Sequence, residues 1–171
     1  MLLTEEDQNF LKVKIKFLII ILTLIFTSKS YCEKIVLEKL VELDSPWGSS
    51  FINNNEIIVT EKSGKIKIVD ILTNQIQEVD HQLDFVVHGQ GGLLDIIHKD
   101  NIVWIAYTED RGNYKTSTSI ARAELNKKKL VFKKIFQANP PIDSGYHFGW
   151  RLAIKDNYIY ASAGERGQGM V

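Results

Sequence analysis

The chain has 171 residues, of which 44% are hydrophobic, and its 21 basic and 21 acidic residues give a formal net charge of zero. Residues 1–32 hold four of the basic and three of the acidic residues, which leaves 17 and 18 in the remainder. This balance excludes the basic surface typical of nucleic-acid-binding proteins, so no nucleic-acid partner is expected. The single cysteine, Cys32, excludes a disulfide framework within the chain.

The first 32 residues have the layout of a secretory signal peptide. Three lysines precede the ten-residue apolar run Phe17–Phe26, and small residues follow it. A helix that spans a membrane needs about 20 apolar residues, so this run is short for an uncleaved anchor, which is the alternative. Cleavage is expected after Ser30 or Cys32. We therefore predict a signal helix over residues 1–32 and a periplasmic or secreted domain over 33–171, with no stable membrane span after cleavage.

From Glu33 onward the hydrophobic pattern is that of β-strands. Lys65–Asp70 alternates polar and apolar residues, and turn residues such as Asn53–Asn55 and Lys99–Asn101 separate similar runs. The other predicted strands are short and rich in Val, Ile and aromatic residues: Lys34–Leu40, Ile57–Thr60, Ile102–Tyr107, Ser119–Leu125, Leu130–Phe136 and Tyr158–Ala161. The pattern predicts an all-β fold.

Three stretches of the chain repeat one pattern of glycine, apolar strand, turn, apolar strand and glutamate. They are Gly48–Glu61, Gly92–Glu109 and Gly149–Glu165, and their closing glutamates lie 48 and 56 residues apart. Four short strands in about 40–50 residues are typical of a β-propeller blade. The alternative is a β-sandwich with chance similarity between hairpins. The pattern predicts about two and a half blades. Since a propeller closes with about 4–8 blades, we expect this chain to be part of a longer protein.

Two glycine-rich turns carry the polar side chains that suggest chemistry. Gln90 lies within His88–Leu94 and His147 within Tyr146–Leu152, each at the entry to an apolar strand. Glycine permits close approach of a ligand or backbone, and histidine is suited to proton transfer near neutral pH. A propeller would bring both side chains towards one axial pocket. From the residues alone, a structural role for His147 remains the alternative.

These motifs resemble those of the glucose/sorbosone dehydrogenase family, the quinoprotein aldose sugar dehydrogenases. The matching stretches are Ser45–Gly48 with Ile58–Gly64, Gly89–Asp95, and His147–Gly149 with Arg151–Leu152. The resemblance covers the chain from about Val36 to Gly169. It implies a six-bladed β-propeller that binds pyrroloquinoline quinone and calcium in a central pocket and acts on a small-molecule sugar. It leaves the electron acceptor open.

The resemblance also implies roles for individual residues. His147 matches the general base, which takes the proton from the anomeric hydroxyl while hydride passes from the same carbon to the quinone. Gln90 and Tyr146 are expected to face the pocket and bind substrate or cofactor. The supporting positions, with Arg151 expected to form an ion pair or contact a carbonyl, are Gly89, Gly91, Gly149 and Arg151.

The sequence departs from the family pattern at Tyr146 and Trp150, and the family's calcium-binding loop is not expected within it. Tyr146 stands where glucose-specific members carry an acid, and Trp150 stands where a small residue is usual. Both favour the alternative of a non-catalytic propeller that binds a carbohydrate or another ligand, and a propeller hydrolase such as a lactonase is a third reading. The family's arginines and calcium-binding loop belong to later blades, so no metal ligand is expected here and the chain alone is predicted to be inactive. Glu165–Gly167 could contribute to a pocket loop, but a local ion pair is the preferred expectation.

Overall fold

The structure, a computed structural model, describes residues 9–10, 12–19, 34–167 and 169 and divides into two compact units. In the first unit, Met1–Glu38, the described residues 9–10 and 12–19 are helical. The predicted cleavage positions Ser30 and Cys32 lie outside the described residues. Among the residues that are described, no helix is both long enough and apolar enough to cross a membrane.

In the second unit, Lys39–Val171, the described residues form three β-sheets. The first contains β1 (Pro46–Phe51), β2 (Glu56–Glu61), β3 (Ile66–Asp70) and β4 (Ile76–His81) in sequential antiparallel order, with the two-residue β8 (Lys129–Leu130) added in parallel to β4. The second contains β5 (Leu93–Lys99), β6 (Ile102–Asp110), β7 (Thr116–Glu124) and β9 (Lys133–Gln137), all antiparallel. The third is the hairpin of β10 (Leu152–Lys155) and β11 (Tyr158–Ala161). The predicted all-β, antiparallel architecture is confirmed, with β8 as a parallel addition.

Each of the three repeated stretches forms the first hairpin of one sheet. These hairpins are β1–β2, β5–β6 and β10–β11. Their turns form where the sequence predicts them because short polar side chains satisfy the backbone there: the Asn53 Oδ1 accepts N–H bonds from Asn55 and Glu56 at 2.8 and 2.9 Å. In the second hairpin, Asp100 and Asn101 adopt the left-handed conformation that a tight two-residue turn requires.

Three strand assignments differ from the sequence prediction. Lys34–Leu40 is not a strand, and its apolar residues Ile35 and Leu37 are 84% and 93% exposed, because no neighbouring strand pairs with them in the described part of the chain. Leu130–Phe136 is divided between β8 and β9. The structure adds β4, whose charged and mostly exposed residues give little periodic signal around the one buried side chain, Val79.

Strands β5 to β7 of the second sheet contribute to a hydrophobic core on each face, and this packing anchors the loop that carries His147. On one face, Val103, Ile105 and Tyr107 of β6 join the core shared with the first sheet. On the other face, Ala106 of β6 joins a second core. That second core also contains Leu94, Ile120, Phe148, Trp150 and Leu152. Since Phe148 follows His147 directly, burial of its ring fixes the loop against the second sheet.

Candidate active site

The first part of the site is a tight turn that precedes β5. His88 and Gly91 exchange backbone hydrogen bonds of 3.3 and 2.8 Å, which closes the turn. The N–H of Gln90 donates to the carbonyl of Gly145 at 2.8 Å. Gly89 has a φ of +57°, and a Cβ there would lie 2.3 Å from the Gly145 oxygen, so only glycine fits this approach. The turn is therefore joined through its backbone to the loop between β9 and β10.

Gln90 and His147, which lie 57 residues apart in sequence, are in direct contact. The backbone N–H of His147 donates to the Gln90 Oε1 at 2.8 Å. Among the described residues no hydrogen bond from the Gln90 NH2 group is seen, so its donors are available to a ligand. The two predicted pocket residues are thus brought together at the starts of β5 and β10.

The His147 imidazole is oriented by a carboxylate that follows β11. Its Nδ1 contacts the Oε1 of Glu165, and the Oε2 of Glu165 accepts the backbone N–H of Gly167. The imidazole side chain is 55% exposed. With Nδ1–H donated to the carboxylate, Nε2 carries the lone pair of the neutral ring and is the atom able to accept a proton. No bond to Nε2 is seen within the described residues, which leaves this atom for a ligand.

Backbone strain is concentrated in the same loop. His147 has a φ of +48° and Trp150 a φ of +71°, in the left-handed region that side chains with a Cβ disfavour by about 1–2 kcal/mol. Gly149, between them, has a φ of +63°, and a Cβ there would lie 2.7 Å from the Gly164 nitrogen. Strained residues of this kind persist where their surroundings hold them in place, and they cluster at functional sites.

Two residues next to His147 differ in their exposure to solvent: Tyr146 is exposed and Arg166 is buried. Tyr146 is 65% exposed, and its ring meets the His147 ring edge-on with 6.4 Å between centroids. Arg166 is only 7% exposed and donates from Nε to the Tyr146 carbonyl at 3.2 Å. Burial lowers the pKa of Arg166 from its ordinary value. The Glu165 carboxylate contacts His147, and the Arg166 guanidinium donates to the carbonyls of Tyr146 and Ser144 and to Thr116 Oγ1. An ion pair between Glu165 and Arg166 is therefore not seen among the described residues.

Arg151 and Trp150 attach the loop before β10 to the second sheet. The Arg151 Nη1 lies 3.3 Å from Asp95 Oδ1, while the other carboxylate oxygen accepts the N–H of Leu152 at 2.7 Å. This is the ion pair expected of Arg151, and it ties the start of β10 to β5. Trp150 is 5% exposed and packs against Phe136, with ring centroids 6.1 Å apart. The large residue at this position therefore fills core volume next to the second sheet.

The sequence does not predict the contact of Glu165 with His147, although the repeat identifies the position of this glutamate. Glu165 closes the third repeat, as Glu61 and Glu109 close the first two. In the first two repeats the glutamate pairs with a lysine, Lys67 or Lys134, at 2.7 Å. In the third repeat the same position meets His147 instead. The repeat predicts where the carboxylate lies, whereas its partner depends on the tertiary structure.

Comparison with known proteins gives one family. A sequence model of the family described as Glucose / Sorbosone dehydrogenase matches residues 43–170. Aldose sugar dehydrogenase YliI of Escherichia coli (strain K12) is 27% identical over 137 residues, which is 74% of this chain and 37% of that protein. The uncharacterized protein slr1608 of Synechocystis sp. (strain ATCC 27184 / PCC 6803 / Kazusa) is 30% identical over 140 residues, which is 73% of this chain and 34% of that protein.

Solved structures agree with this result. The soluble aldose sugar dehydrogenase of Escherichia coli in the apo form superposes with a TM-score of 0.69 at 27% identity, covering 74% of this chain and 39% of that chain. The PQQ-bound form of aldose sugar dehydrogenase from Streptomyces coelicolor has the same fold, with a TM-score of 0.64 at 23% identity over 78% of this chain and 42% of that chain. The chain spans just over a third of the length of the curated relatives it matches. It belongs to the glucose/sorbosone dehydrogenase family.

Proposed function

We propose that this chain is part of a quinoprotein oxidoreductase that oxidises the anomeric carbon of an aldose sugar. The observation that carries the proposal is the set of contacts around His147, whose Nδ1 meets Glu165 and whose backbone N–H is held by Gln90. A histidine oriented through Nδ1 by a carboxylate, with Nε2 directed to a ligand, is the arrangement of a general base.

The proposed architecture is a six-bladed β-propeller. The first sheet contains the sequential antiparallel strands β1 to β4 with β8 added to its edge, and the second contains the antiparallel strands β5, β6, β7 and β9. With the hairpin β10–β11, they are proposed to be two blades and the start of a third. The contacts between β1 and β5, and between β5 and β10, support this proposal, because the first strands of neighbouring blades lie side by side around the axis of a propeller. Since the chain spans just over a third of its curated relatives, we propose that the 171-residue chain alone is inactive.

The described residues suit the proposed quinone cofactor, pyrroloquinoline quinone, better than the proposed calcium ion. His147, Gln90 and the exposed ring of Tyr146 give a base, an amide donor and an aromatic surface, which suit one side of a pocket for a quinone and a sugar. Within residues 9–10, 12–19, 34–167 and 169, no three His, Cys, Asp or Glu side chains are grouped to hold a metal ion. The proposal of calcium therefore rests on the family resemblance and not on these side chains.

In the proposed reaction, bound pyrroloquinoline quinone with calcium supplies the acceptor for the hydride that leaves the anomeric carbon. His147 Nε2 takes the proton of the anomeric hydroxyl, and Glu165 stabilises the imidazolium that forms. The Gln90 NH2 group donates a hydrogen bond to a substrate or quinone oxygen. Tyr146 presents a hydroxyl and an aromatic face to the sugar, in place of the acid found in glucose-specific members.

The test is aldose-dependent dye reduction with added pyrroloquinoline quinone and calcium, measured on the 171-residue chain and on the protein expressed from its complete gene. We expect turnover of aldoses in the complete protein and none in the chain alone. His147→Ala should abolish turnover, whereas His98→Ala, which changes a histidine on β5 outside the site, should retain it. Undiminished activity in His147→Ala would refute the base assignment. Sugar binding without any turnover in the complete protein would support the non-catalytic alternative.

We also propose export to the periplasm or beyond the cell, because residues 12–32 combine lysines, an apolar run and small residues as a signal peptide does. The test is determination of the amino terminus of the protein recovered from the extracellular or periplasmic fraction. Export predicts a terminus near Glu33, and an intact Met1 in the cytoplasmic fraction would contradict it.

A further inference from the structure

Arg166 is more deeply buried than its position in a loop requires. It lies in the segment that follows β11, yet it is only 7% exposed. Its Nη2 donates to Thr116 Oγ1 at 2.8 Å and to the Ser144 carbonyl, and its Nε donates to the Tyr146 carbonyl at 3.2 Å. In the described part of the chain no carboxylate pairs with it, and the oxygens that accept its hydrogen bonds there are all neutral.

The Arg166 guanidinium contacts the residues directly before and after His147. Tyr146 precedes His147 and accepts a hydrogen bond from Arg166, while Phe148 follows His147 and lies under the guanidinium, whose central carbon is 3.6 Å from the ring centroid. Glu165, the residue directly before Arg166, contacts the imidazole itself. Thr116 is the first residue of β7, so the same guanidinium connects this loop to the second sheet.

A guanidinium is suited to this arrangement and an ammonium is not. Its planar fork donates several hydrogen bonds in fixed directions while its face stacks on an aromatic ring. A lysine at the same position could reach one carbonyl, but it would leave the others without a donor and the Phe148 ring without its stacking partner.

We propose that Arg166 is a positioning residue that holds His147 in its left-handed backbone conformation and against Glu165, a role that rests on the proposed function of His147 as the base. The guanidinium fixes the residues on either side of His147, and its own backbone fixes the carboxylate. Loss of the guanidinium allows the loop to relax and the imidazole to separate from Glu165, even where the sheets remain folded.

The test compares Arg166→Lys and Arg166→Ala with a matched pair, Arg111→Lys and Arg111→Ala. Arg111 also bridges a strand and the segment after β9, because its guanidinium donates to Ser117 Oγ at 2.9 Å and to the Ala138 carbonyl at 3.3 Å. The hydrogen bonds of this guanidinium to described residues do not involve residues 144–148. The readouts need neither cofactor nor substrate. They are the imidazole ring-proton and ring-nitrogen resonances of His147, the hydrogen exchange of its backbone amide, and the melting temperature.

We expect both Arg166 variants to lose the resonance of the Nδ1–H that contacts Glu165 and to exchange the His147 amide about tenfold faster, as release of a strained loop predicts. The Arg111 variants should lower the melting temperature but leave both His147 signals unchanged. Addition of methylguanidinium should restore the signals in Arg166→Ala. If that variant does not fold, Arg166→Lys decides the question.

Unchanged His147 signals in a folded Arg166→Lys would overturn the proposal, as would equal changes in Arg111→Lys. The dehydrogenase assay is separate from these measurements. If His147→Ala retains turnover while the Arg166 variants disturb the His147 resonances, the positioning contact stands and the proposed function fails. If His147 is the base and the resonances do not move, the positioning role fails by itself.

Discussion

Replacement of Lys67 by methionine tests how the first sheet tolerates a buried carboxylate. Glu61 ends β2 with its side chain only 1% exposed, and its Oε1 accepts bonds of 2.7 Å from Lys67 Nζ and from the backbone N–H of Asp44. Its Oε2 is buried without a hydrogen-bond partner among the described residues. Burial by itself raises the pKa of Glu61, but the bonds from Lys67 and Asp44 outweigh it and hold the pKa below its usual value.

The expected loss of stability follows from the environment of the pair. Removal of one partner from a buried ion pair costs about 3–5 kcal/mol, whereas exposed pairs contribute about 0–1 kcal/mol. Because the Lys67 side chain is 16% exposed, water reaches the cation and the lower end of the buried range applies. We expect Lys67→Met to lower the free energy of unfolding by about 3 kcal/mol at pH 7. Glu61→Gln/Lys67→Met should lose about 1 kcal/mol less, because an amide oxygen accepts the Asp44 N–H without carrying charge.

The dependence on pH provides a second, independent measurement. In the unchanged protein the Glu61 pKa is lowered by folding, so its contribution is present above the unfolded value of about 4.3 and is lost as the pH falls through the folded pKa. In Lys67→Met, burial is no longer opposed by the cation, so the carboxyl favours protonation and the variant's deficit shrinks as the pH falls from 7 towards 4. Urea unfolding followed by tryptophan fluorescence at both pH values measures the deficit.

Lys65→Met is the matched control. Lys65 pairs with Glu78 at 3.3 Å, but both side chains are more than half exposed, so this substitution should change stability by less than about 0.5 kcal/mol. Equal effects of Lys65→Met and Lys67→Met would refute the reasoning, since burial would then make no difference. A deficit in Lys67→Met that stays constant between pH 7 and pH 4 would refute the assignment to Glu61.

Three further outcomes are expected. Gly91→Ala should lower the free energy of unfolding in urea by about 2 kcal/mol, because the new Cβ would lie 2.5 Å from Thr108 Oγ1 and 2.8 Å from the Phe148 ring. A loss of less than about 0.5 kcal/mol would contradict this expectation. Burial, aided by the Glu109 charge, raises the pKa of Tyr107 to about 12, so neutral Tyr107 stabilises the fold below pH 10 and this contribution is lost as the pH rises through 12. Absorbance titration should show one late-ionising tyrosine that Tyr107→Phe removes. Trp150→Ala should be about 1 kcal/mol less stable than Trp150→Gly despite its extra methyl group, because only glycine adopts a φ of +71° without strain. Thermal unfolding compares the two variants. The reverse order of stability would show that the strain is absent.

Local patterns in the sequence were sufficient to predict the hairpins. The alternation of Lys65–Asp70 and the apolar runs around Asn53–Asn55 and Asp100–Asn101 each involve neighbouring residues, so periodicity and turn chemistry act without help from the rest of the chain. The same signals failed at Lys34–Leu40, where the pattern is present but no partner strand is, and at β4, where pairing with β3 forms a strand that its own residues hardly indicate.

The sequence by itself determined the repeat, the all-β character and the two turns that carry Gln90 and His147. Only the tertiary structure decided that these side chains touch, that the glutamate of the third repeat turns to His147, and that Arg166 is buried rather than paired with its neighbour. The physical reason is distance along the chain. Hairpins form from residues a few positions apart, whereas the site depends on contacts across 18 to 57 residues, whose geometry is fixed by packing of the loop onto the second sheet.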